Sequence, residues 1–414
     1  EQWRERIDRF AIITEKNKKI SPGILQSSKK KITCIVDIAS IKSISDNLDI
    51  YDKYEIIIGD EIHHIASKTY ESIIRKFKAR YIYGLTATPM RSDHLEKIVY
   101  KSIGDIRFEL KKQNVNFEKI LKPRFTRFKN NDEYKIMSYT DLCTELYKNN
   151  ERNYQIVADI VEEYDKGRSI IVLTERNEHI EILYDLLKDK CDNVYKSKGT
   201  DKEKEKKIFN NQMKFLNNQY IIISTCKYLG EGFDLPSLDT LFLTMPFKWN
   251  GKLTQALGRI GRVNDGKEKV IVYDYVDIKV GLFAHQFQLR LKAYKKDDYL
   301  LYNDGYQPSI LYSYSNYSKK LLEDIENAND VKFYCNYCDK TKINELLTLN
   351  DNIKLVSDLD IECKIKEKKH SELNAIIIDD EILWYGSINP FSWAKKDDTI
   401  LRLVDREYVE KIIN

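Results

Sequence analysis

No stretch of the 414 residues approaches the roughly 18 consecutive apolar side chains of a membrane-spanning helix, and no signal peptide opens the chain. Internal repeats and low-complexity tracts are missing too. The seven cysteines are an odd number without the spacing of a disulfide scaffold, which suits a reducing cytoplasm. The sequence starts Glu1-Gln2-Trp3 rather than with Met, so we expect a segment upstream. Charge of neither sign dominates. With 69 Lys and Arg against 65 Asp and Glu, the net +4 neither requires nor excludes nucleic acid, and placement matters more than the total. What is present, 42% hydrophobic and 32% charged residues, describes a globular chain long enough for two or three domains.

Short β-branched runs alternate with helical stretches as far as about residue 295. The strands expected are Ile32–Val36, Tyr54–Ile58, Tyr81–Leu85, Ser169–Leu173, Tyr220–Ser224, Thr240–Thr244 and Lys269–Tyr275. Amphipathic stretches such as Glu178–Leu187 and Lys202–Phe215 lie between them, and such alternation predicts parallel, doubly wound sheets. The polar segment from Lys111 to Asn131, with Pro123 inside it, reads as a linker. A Tyr-rich connector runs to Tyr317. After it, a helix near Lys319–Ala328 and strands at Val331–Tyr334, Ala375–Ile378, Ile382–Tyr385 and Ile400–Val404 predict a smaller α/β domain.

The run Tyr54-Glu-Ile-Ile-Ile-Gly-Asp60-Glu61-Ile-His63-His64 delivers an acidic pair at the carboxyl end of an apolar strand, where open α/β sheets bind ligands. Nucleotide hydrolysis needs one carboxylate to hold Mg²⁺ and a second group to orient water. Asp-Glu alone says little, since it recurs at Asp132-Glu133 and Asp380-Glu381; its position after a buried strand is what counts. Gly84-Leu-Thr86-Ala87-Thr88-Pro89 ends the next strand and could couple a nucleotide site to a moving neighbour; taken alone it reads as an ordinary turn. Gly230-Glu231-Gly232-Phe233-Asp234 follows Tyr220–Ser224, and glycines there permit close approach of a phosphate, although a plain loop would look the same. In Gln255-Ala-Leu-Gly258-Arg259-Ile-Gly261-Arg262, two arginines three apart share a helix face, either as a solvated basic stripe or to meet a γ-phosphate.

In order and spacing these runs resemble the motifs of superfamily 2 helicases, over roughly residues 1–295. The wording is most similar to type III restriction subunits and to the helicase part of TOTE conflict systems. Ala79-Arg-Tyr-Ile-Tyr-Gly-Leu-Thr-Ala-Thr-Pro, Leu173-Thr-Glu-Arg-Asn-Glu-His and Asp239-Thr-Leu-Phe-Leu-Thr-Met-Pro carry that likeness. The resemblance implies that Asp60 holds Mg²⁺, Glu61 activates water and His63 couples nucleotide to nucleic acid. It implies that Arg259 and Arg262 reach the γ-phosphate with Gln255 nearby, and that Gly232 and Asp234 belong to the nucleotide site. Thr86 and Thr88 would couple the two, while Thr225 and the segment Asp37–Ser40 would lie towards the nucleic-acid backbone. One part is missing. No Gly-x4-Gly-Lys-Ser/Thr run, whose backbone N–H groups cradle phosphates, occurs in the sequence, and Gly251-Lys252 is followed by Leu. We therefore expect an amino-terminally truncated motor that hydrolyses ATP poorly by itself.

Residues 372–389 match the spacing of a phospholipase D-type motif at Asp379, Gly386, Ser387 and Asn389, but Glu372 and Asn374 stand where that chemistry needs His and Lys. His370 lies two residues too early for the nucleophile's place. Cys335-Asn-Tyr-Cys338 with Cys363 falls one ligand short of a zinc site and reads as structural thiols. The fold expected is α/β: a partial RecA-like lobe (1–115), a second RecA-like lobe (116–298), then a connector and a phospholipase D-like domain (299–414). The function expected is an ATP- and Mg²⁺-dependent helicase or translocase, with DNA as partner, possible partner subunits and a role in phage defence. A non-catalytic DNA-binding assembly subunit and a DNA phosphodiesterase are the alternatives.

Overall fold

A computed structural model describes residues 2–15, 18–26, 29–45, 50–62, 68–86, 96–109, 117–130, 137–198, 209, 212–213, 216, 219–226, 235–247, 251–262, 264, 266–302 and 309–413. The chain divides into two compact units, Glu1–Gln113 and Asn114–Asn414.

The first unit begins with helix α1 (Gln2–Phe10) and carries three small sheets. β1 (Thr14–Glu15) pairs antiparallel with β2 (Lys18–Lys19). β3 (Gly23–Gln26) lies between antiparallel β4 (Lys29–Lys31) and parallel β5 (Asp37–Ala39). β5 sits later than the expected Ile32–Val36 strand because Asp37 closes a turn first. Its carboxylate accepts the amides of Thr33 (2.8 Å) and Cys34 (2.7 Å) and the Tyr54 hydroxyl (2.6 Å). Helix α2 (Ile41–Ser45) follows. Then β6 (Ile56–Gly59) pairs in parallel with β7 (Tyr81–Gly84), with helix α3 (Lys68–Ile74) between them and helix α4 (Glu96–Ile103) after.

The second unit is built on a seven-stranded sheet of order β10-β11-β9-β12-β13-β8-β14, parallel throughout. Its strands are β8 (Glu118–Phe125), β9 (Ile170–Thr174), β10 (Val194–Ser197), β11 (Ile221–Thr225), β12 (Thr240–Leu243), β13 (Lys269–Val276) and β14 (Leu300–Leu301). Helices α5 (Tyr139–Lys148), α6 (Asn150–Asp165), α7 (Asn177–Leu187), α8 (Gly251–Ile260) and α9 (Gly281–Lys296) connect and cover it. β9, β11 and β12 are buried at every residue, as strands covered on both faces must be. The expected linker is thus corrected: its middle forms β8, paired with β13 over eight residues. Leu121, Pro123 and Phe125 point inward. Lys122 and Arg124 alternate with them and meet acids of α6, with Arg124 forking onto Asp159 at 2.8 and 2.6 Å. Pro123 lies beyond the two β8 residues that β14 pairs, where a missing N–H costs little.

The connector also holds structure: β14 and β15 (Ile310–Ser313) both lie within it. A second seven-stranded sheet has the order β15-β21-β20-β19-β16-β17-β18. Its further strands are β16 (Val331–Tyr334), β17 (Ile353–Val356), β18 (Ile365–Glu367), β19 (Ala375–Ile378), β20 (Ile382–Gly386) and β21 (Thr399–Val404). Helices α10 (Ser318–Glu326), α11 (Lys340–Leu347) and α12 (Arg406–Ile413) complete it. The two large sheets share one apolar core through α9, where Phe287 lies between Phe125, which it meets edge to face, and Tyr385, on which it stacks. Arg290 on the same helix is wholly buried, forking onto Asp274 at 2.7 and 2.8 Å and donating to the Phe247 carbonyl at 2.6 Å. Among the described residues no helix is long and apolar enough to cross a membrane.

Candidate active site

An apolar strand that ends in acids presents them at the sheet's carboxyl edge. β6 does this with Asp60 and Glu61. In register with β7, Gly59 faces Gly84, and the turn beyond is tied across: Leu85 N–H donates to the Gly59 carbonyl (2.8 Å) and Ile62 N–H to the Leu85 carbonyl (2.9 Å). Those two bonds bring the acidic pair beside Thr86, uniting two of the runs singled out in the sequence. Ile62 crowds both glycines: a Cβ at Gly59 would meet its Cδ1 at 2.4 Å, a side-chain end that can turn aside, and one at Gly84 its Cγ2 at 2.8 Å, nearer the backbone. Glu61 takes the left-handed region (φ 47°), uncommon for a residue with a side chain. Asp60 is exposed; one carboxylate oxygen accepts the Glu61 amide at 2.9 Å and the other the Trp3 indole N–H at 3.0 Å. Trp3 stands 57 residues upstream, and nothing in the sequence marks it as a partner of Asp60.

His63 and Thr88 lie outside the described residues, as do Gly232 and Asp234. Ser40 caps the start of α2: its carbonyl accepts from Ser43 and Ile44, and its hydroxyl pairs with that of Ser43 at 2.8 Å. Asp37 is taken up by its own turn.

In the second unit, Gln255 falls within α8, although its side chain is outside the described residues. Arg259 is in the last turn of that helix, and burial lowers the pKa of its guanidinium. Arg262 is not on the helix, as the three-residue spacing had predicted, because α8 stops at Ile260. Lys267 Nζ closes that end by donating to the carbonyls of Ile260 (3.0 Å), Arg262 (2.8 Å) and Leu238 (2.7 Å), and burial pushes its pKa down to about 8. Gly261-x4-Gly266-Lys267 therefore has the glycine and lysine spacing of a phosphate loop but not its use, and Glu268 stands where Ser or Thr belongs. Thr225 ends β11 with a buried hydroxyl that has no partner among the described residues. Beside it on β9, Thr174 bonds His179, whose imidazole is fully buried.

In the terminal sheet the phospholipase D-type spacing is occupied by main-chain anchoring. Asn374 Oδ1 accepts the amides of Asn336 (3.1 Å) and Tyr337 (3.2 Å), and Asn389 Nδ2 donates to the Tyr337 carbonyl (2.9 Å). Glu372 accepts the Gly281 amide at 3.0 Å, and Ser387 accepts the Thr399 amide at 2.9 Å. Asp379 accepts two amides, those of Asn329 and Asp330, at 2.8 Å each. Cys335 is buried in the apolar core, where burial pushes its thiol up to about 12; the single S–H of Cys363 has two carbonyls in reach, Ile365 at 3.4 Å and Ile353 at 3.7 Å.

Residues 1–91 match the family model described as the res subunit of type III restriction enzymes, and residues 152–264 match the helicase conserved C-terminal domain. Over these stretches the chain is similar to the two parts of superfamily 2 helicases, in the order in which they occur there. A mimivirus protein named for ATP-dependent RNA helicase activity is 27% identical over 71% of this chain and 58% of its own length. The fowlpox virus transcript termination protein A18 is 27% identical over 58% of this chain and 54% of its own. The DNA 3'-5' translocase XPB2 of Sulfurisphaera tokodaii is 25% identical over 66% and 68%. The chain thus spans little more than half the length of these first two relatives. A solved structure of S. cerevisiae Dbp5, bound to RNA and ADP BeF3, overlays with a TM-score of 0.47 at 16% identity, covering 69% of this chain and 70% of Dbp5.

The helicase family implies ATP and usually Mg²⁺. The carboxylate part of such a site fits: Asp60 is an exposed strand-end acid whose oxygens retain lone pairs beyond the two bonds above. The phosphate-cradling loop is not among these 414 residues.

Proposed function

We propose that the chain is the motor portion of an ATP-dependent nucleic-acid helicase or translocase. The observation that carries this reading is the acidic pair at the end of β6, tied by backbone hydrogen bonds to the strand end that bears Thr86. Mg²⁺-ATP, when bound, supplies the phosphoryl group whose transfer to water drives the motor. Asp60 would hold the metal, and Glu61 would take the proton of the attacking water. Arg259 and Arg262 would neutralise charge at the γ-phosphate, with Gln255, Gly232 and Asp234 around the nucleotide. His63, Thr86 and Thr88 would transmit the nucleotide state, while Ser40 and Thr225 would contact the nucleic-acid backbone. We favour DNA as the substrate and phage defence or mobile-element conflict as the setting, on the resemblance in wording to restriction and conflict-system helicases. We further propose residues 1–115 and 116–298 as RecA-like lobes and 299–414 as connector and phospholipase D-like domain. Catalysis by that last domain is the weaker reading, because the residues at its motif positions are engaged with main-chain groups.

ATP hydrolysis, measured with and without DNA or RNA, tests the motor. The assay compares this chain with any longer gene product containing it, each beside Glu61→Gln. Nucleic-acid-stimulated hydrolysis that Glu61→Gln lowers by about 10²–10⁴ supports the proposal. Absence of Glu61-dependent hydrolysis from every form would replace it with a nucleic-acid-binding assembly subunit.

A further inference from the structure

Parallel strands end together, so the residues that follow them gather along one edge of the sheet. β8 and β13 leave that edge side by side, with Phe125 opposite Val276. The segments that continue from them carry Arg127 and Lys129 from β8 and Lys279 from β13. Their base is rigid. Thr126 donates its amide to the Val276 carbonyl (3.1 Å) and its hydroxyl to Asp277 (2.6 Å), and buried Arg152 neutralises Asp277. The terminal domain reaches the same edge. Glu372 accepts the first amide of α9, from Gly281, two residues after Lys279, which holds the loop between β18 and β19 that carries Lys369.

We infer that Arg127, Lys129, Lys279 and Lys369 form a contact surface for the phosphate backbone of a nucleic acid, one that the terminal domain helps to build. This rests on the nucleic-acid reading above. Lys279 is only partly exposed, and its amine makes no ion pair or hydrogen bond among the described residues. Burial first, and then the charges of Lys129, Arg127 and Lys369, lower its pKa. Lys129 and Lys369 are exposed and likewise unpaired among the described residues. Acids stand near the group as well: Glu151 lies 3.8 Å from Arg127 with both side chains mostly in solvent, the Glu372 carboxylate accepts the Gly281 amide, Glu407 feels the charge of Arg127, and Glu367 that of Lys369. Amines that have no ion-pair partner among the described residues can pair with phosphates, and in doing so they displace the cations condensed on the polyanion. The carboxyl edge of a parallel sheet is also where such folds take ligands.

The test is a salt titration of binding to one labelled oligonucleotide sequence made as single-stranded DNA, duplex DNA and RNA. The unsubstituted chain is compared with K129Q/K279Q/K369Q, with the matching triple Arg variant, and with K319Q/K340Q/K396Q as a control of equal charge change. Thermal melting checks that each variant folds. We expect the first variant to bind more weakly, with the slope of log K against log salt reduced by about 2 to 3, the triple Arg variant to retain binding, and the control to change little. Unsubstituted chain that binds none of the three nucleic acids would sink both the motor reading and this surface. Binding that K129Q/K279Q/K369Q leaves unmoved, or weakens no more than the control does, would overturn the surface alone.

Discussion

His179 shows what a single residue can report. Asn153 Nδ2 donates to the Tyr147 carbonyl, so its Oδ1 faces His179 Nε2 at 3.0 Å, and that nitrogen carries the proton. Nδ1 then accepts from the Thr174 hydroxyl at 2.9 Å. Burial, helped by the charge of Arg152, lowers the imidazole pKa from 6.5 to about 3. The unfolded chain therefore takes up a proton that the folded one refuses. This group's contribution to stability is complete above pH 6.5 and is lost as pH falls towards 3, by up to ~1.4 kcal/mol per pH unit. His179→Gln should be less stable than the parent at pH 7 by denaturant unfolding, and the gap should narrow by pH 5. A gap that stays constant would mean that His179 does not govern this acid lability. The sequence shows His179 only as part of a family-like phrase. Asn153, which settles the tautomer, lies 26 residues away on another helix, and pattern reading has no access to such a partner. The strand-end positions of Asp60, Glu61 and Thr86 are legible for the opposite reason: strand-end position is a local property of an apolar run.

At the scale of elements, strands that are apolar throughout were read to within a residue or two, whereas β8 was taken for a linker. Its Lys122 and Arg124 look like solvated charge until α6 supplies Glu163 and Asp159 from 41 and 35 residues further on. Arg262 was misplaced because the end of α8 is fixed by Lys267, a tertiary cap rather than a feature of the helix's own residues. The β19–β20 hairpin turns on Asp379 and Asp380, both left-handed at φ 52° and 51°, a conformation that Asp tolerates better than most residues. Asp379 also joins this turn to the residues before β16 through its two accepted amides. Asp379→Ala keeps the unfavourable backbone and removes two bonds to a charged acceptor at an exposed turn, where water can take over the amides, so a loss of about 1–2 kcal/mol is expected in urea unfolding. Asp379→Asn, which retains the acceptor oxygen, should recover most of it. An Ala variant as stable as the parent would show that the hairpin holds without this anchor.

For the molecule as a whole, the consequential feature is the core that both large sheets of the second unit share, beside the core that each keeps on its other face. Phe287 is fully buried, with its ring 6.3 Å from Phe125 of the first sheet and parallel to Tyr385 of the second at 6.5 Å. Tyr385 adds polar ties to the same helix, accepting from Gln288 at 3.0 Å and donating to the Ala284 carbonyl at 3.3 Å. Two domains joined only by a chain would unfold separately; two sheets that share buried rings should unfold together. Phe287→Ala removes the ring common to both, and a cost of about 3–5 kcal/mol is expected. The decisive measurement is amide hydrogen exchange of Ile221–Thr225 in the first sheet and Ala375–Ile378 in the second, in parent and variant. Equal loss of protection in both segments would mean that the two sheets form one cooperative body, so that whatever the second binds strains or steadies the first directly. Loss confined to one segment would mean that the shared core is a contact between independent bodies.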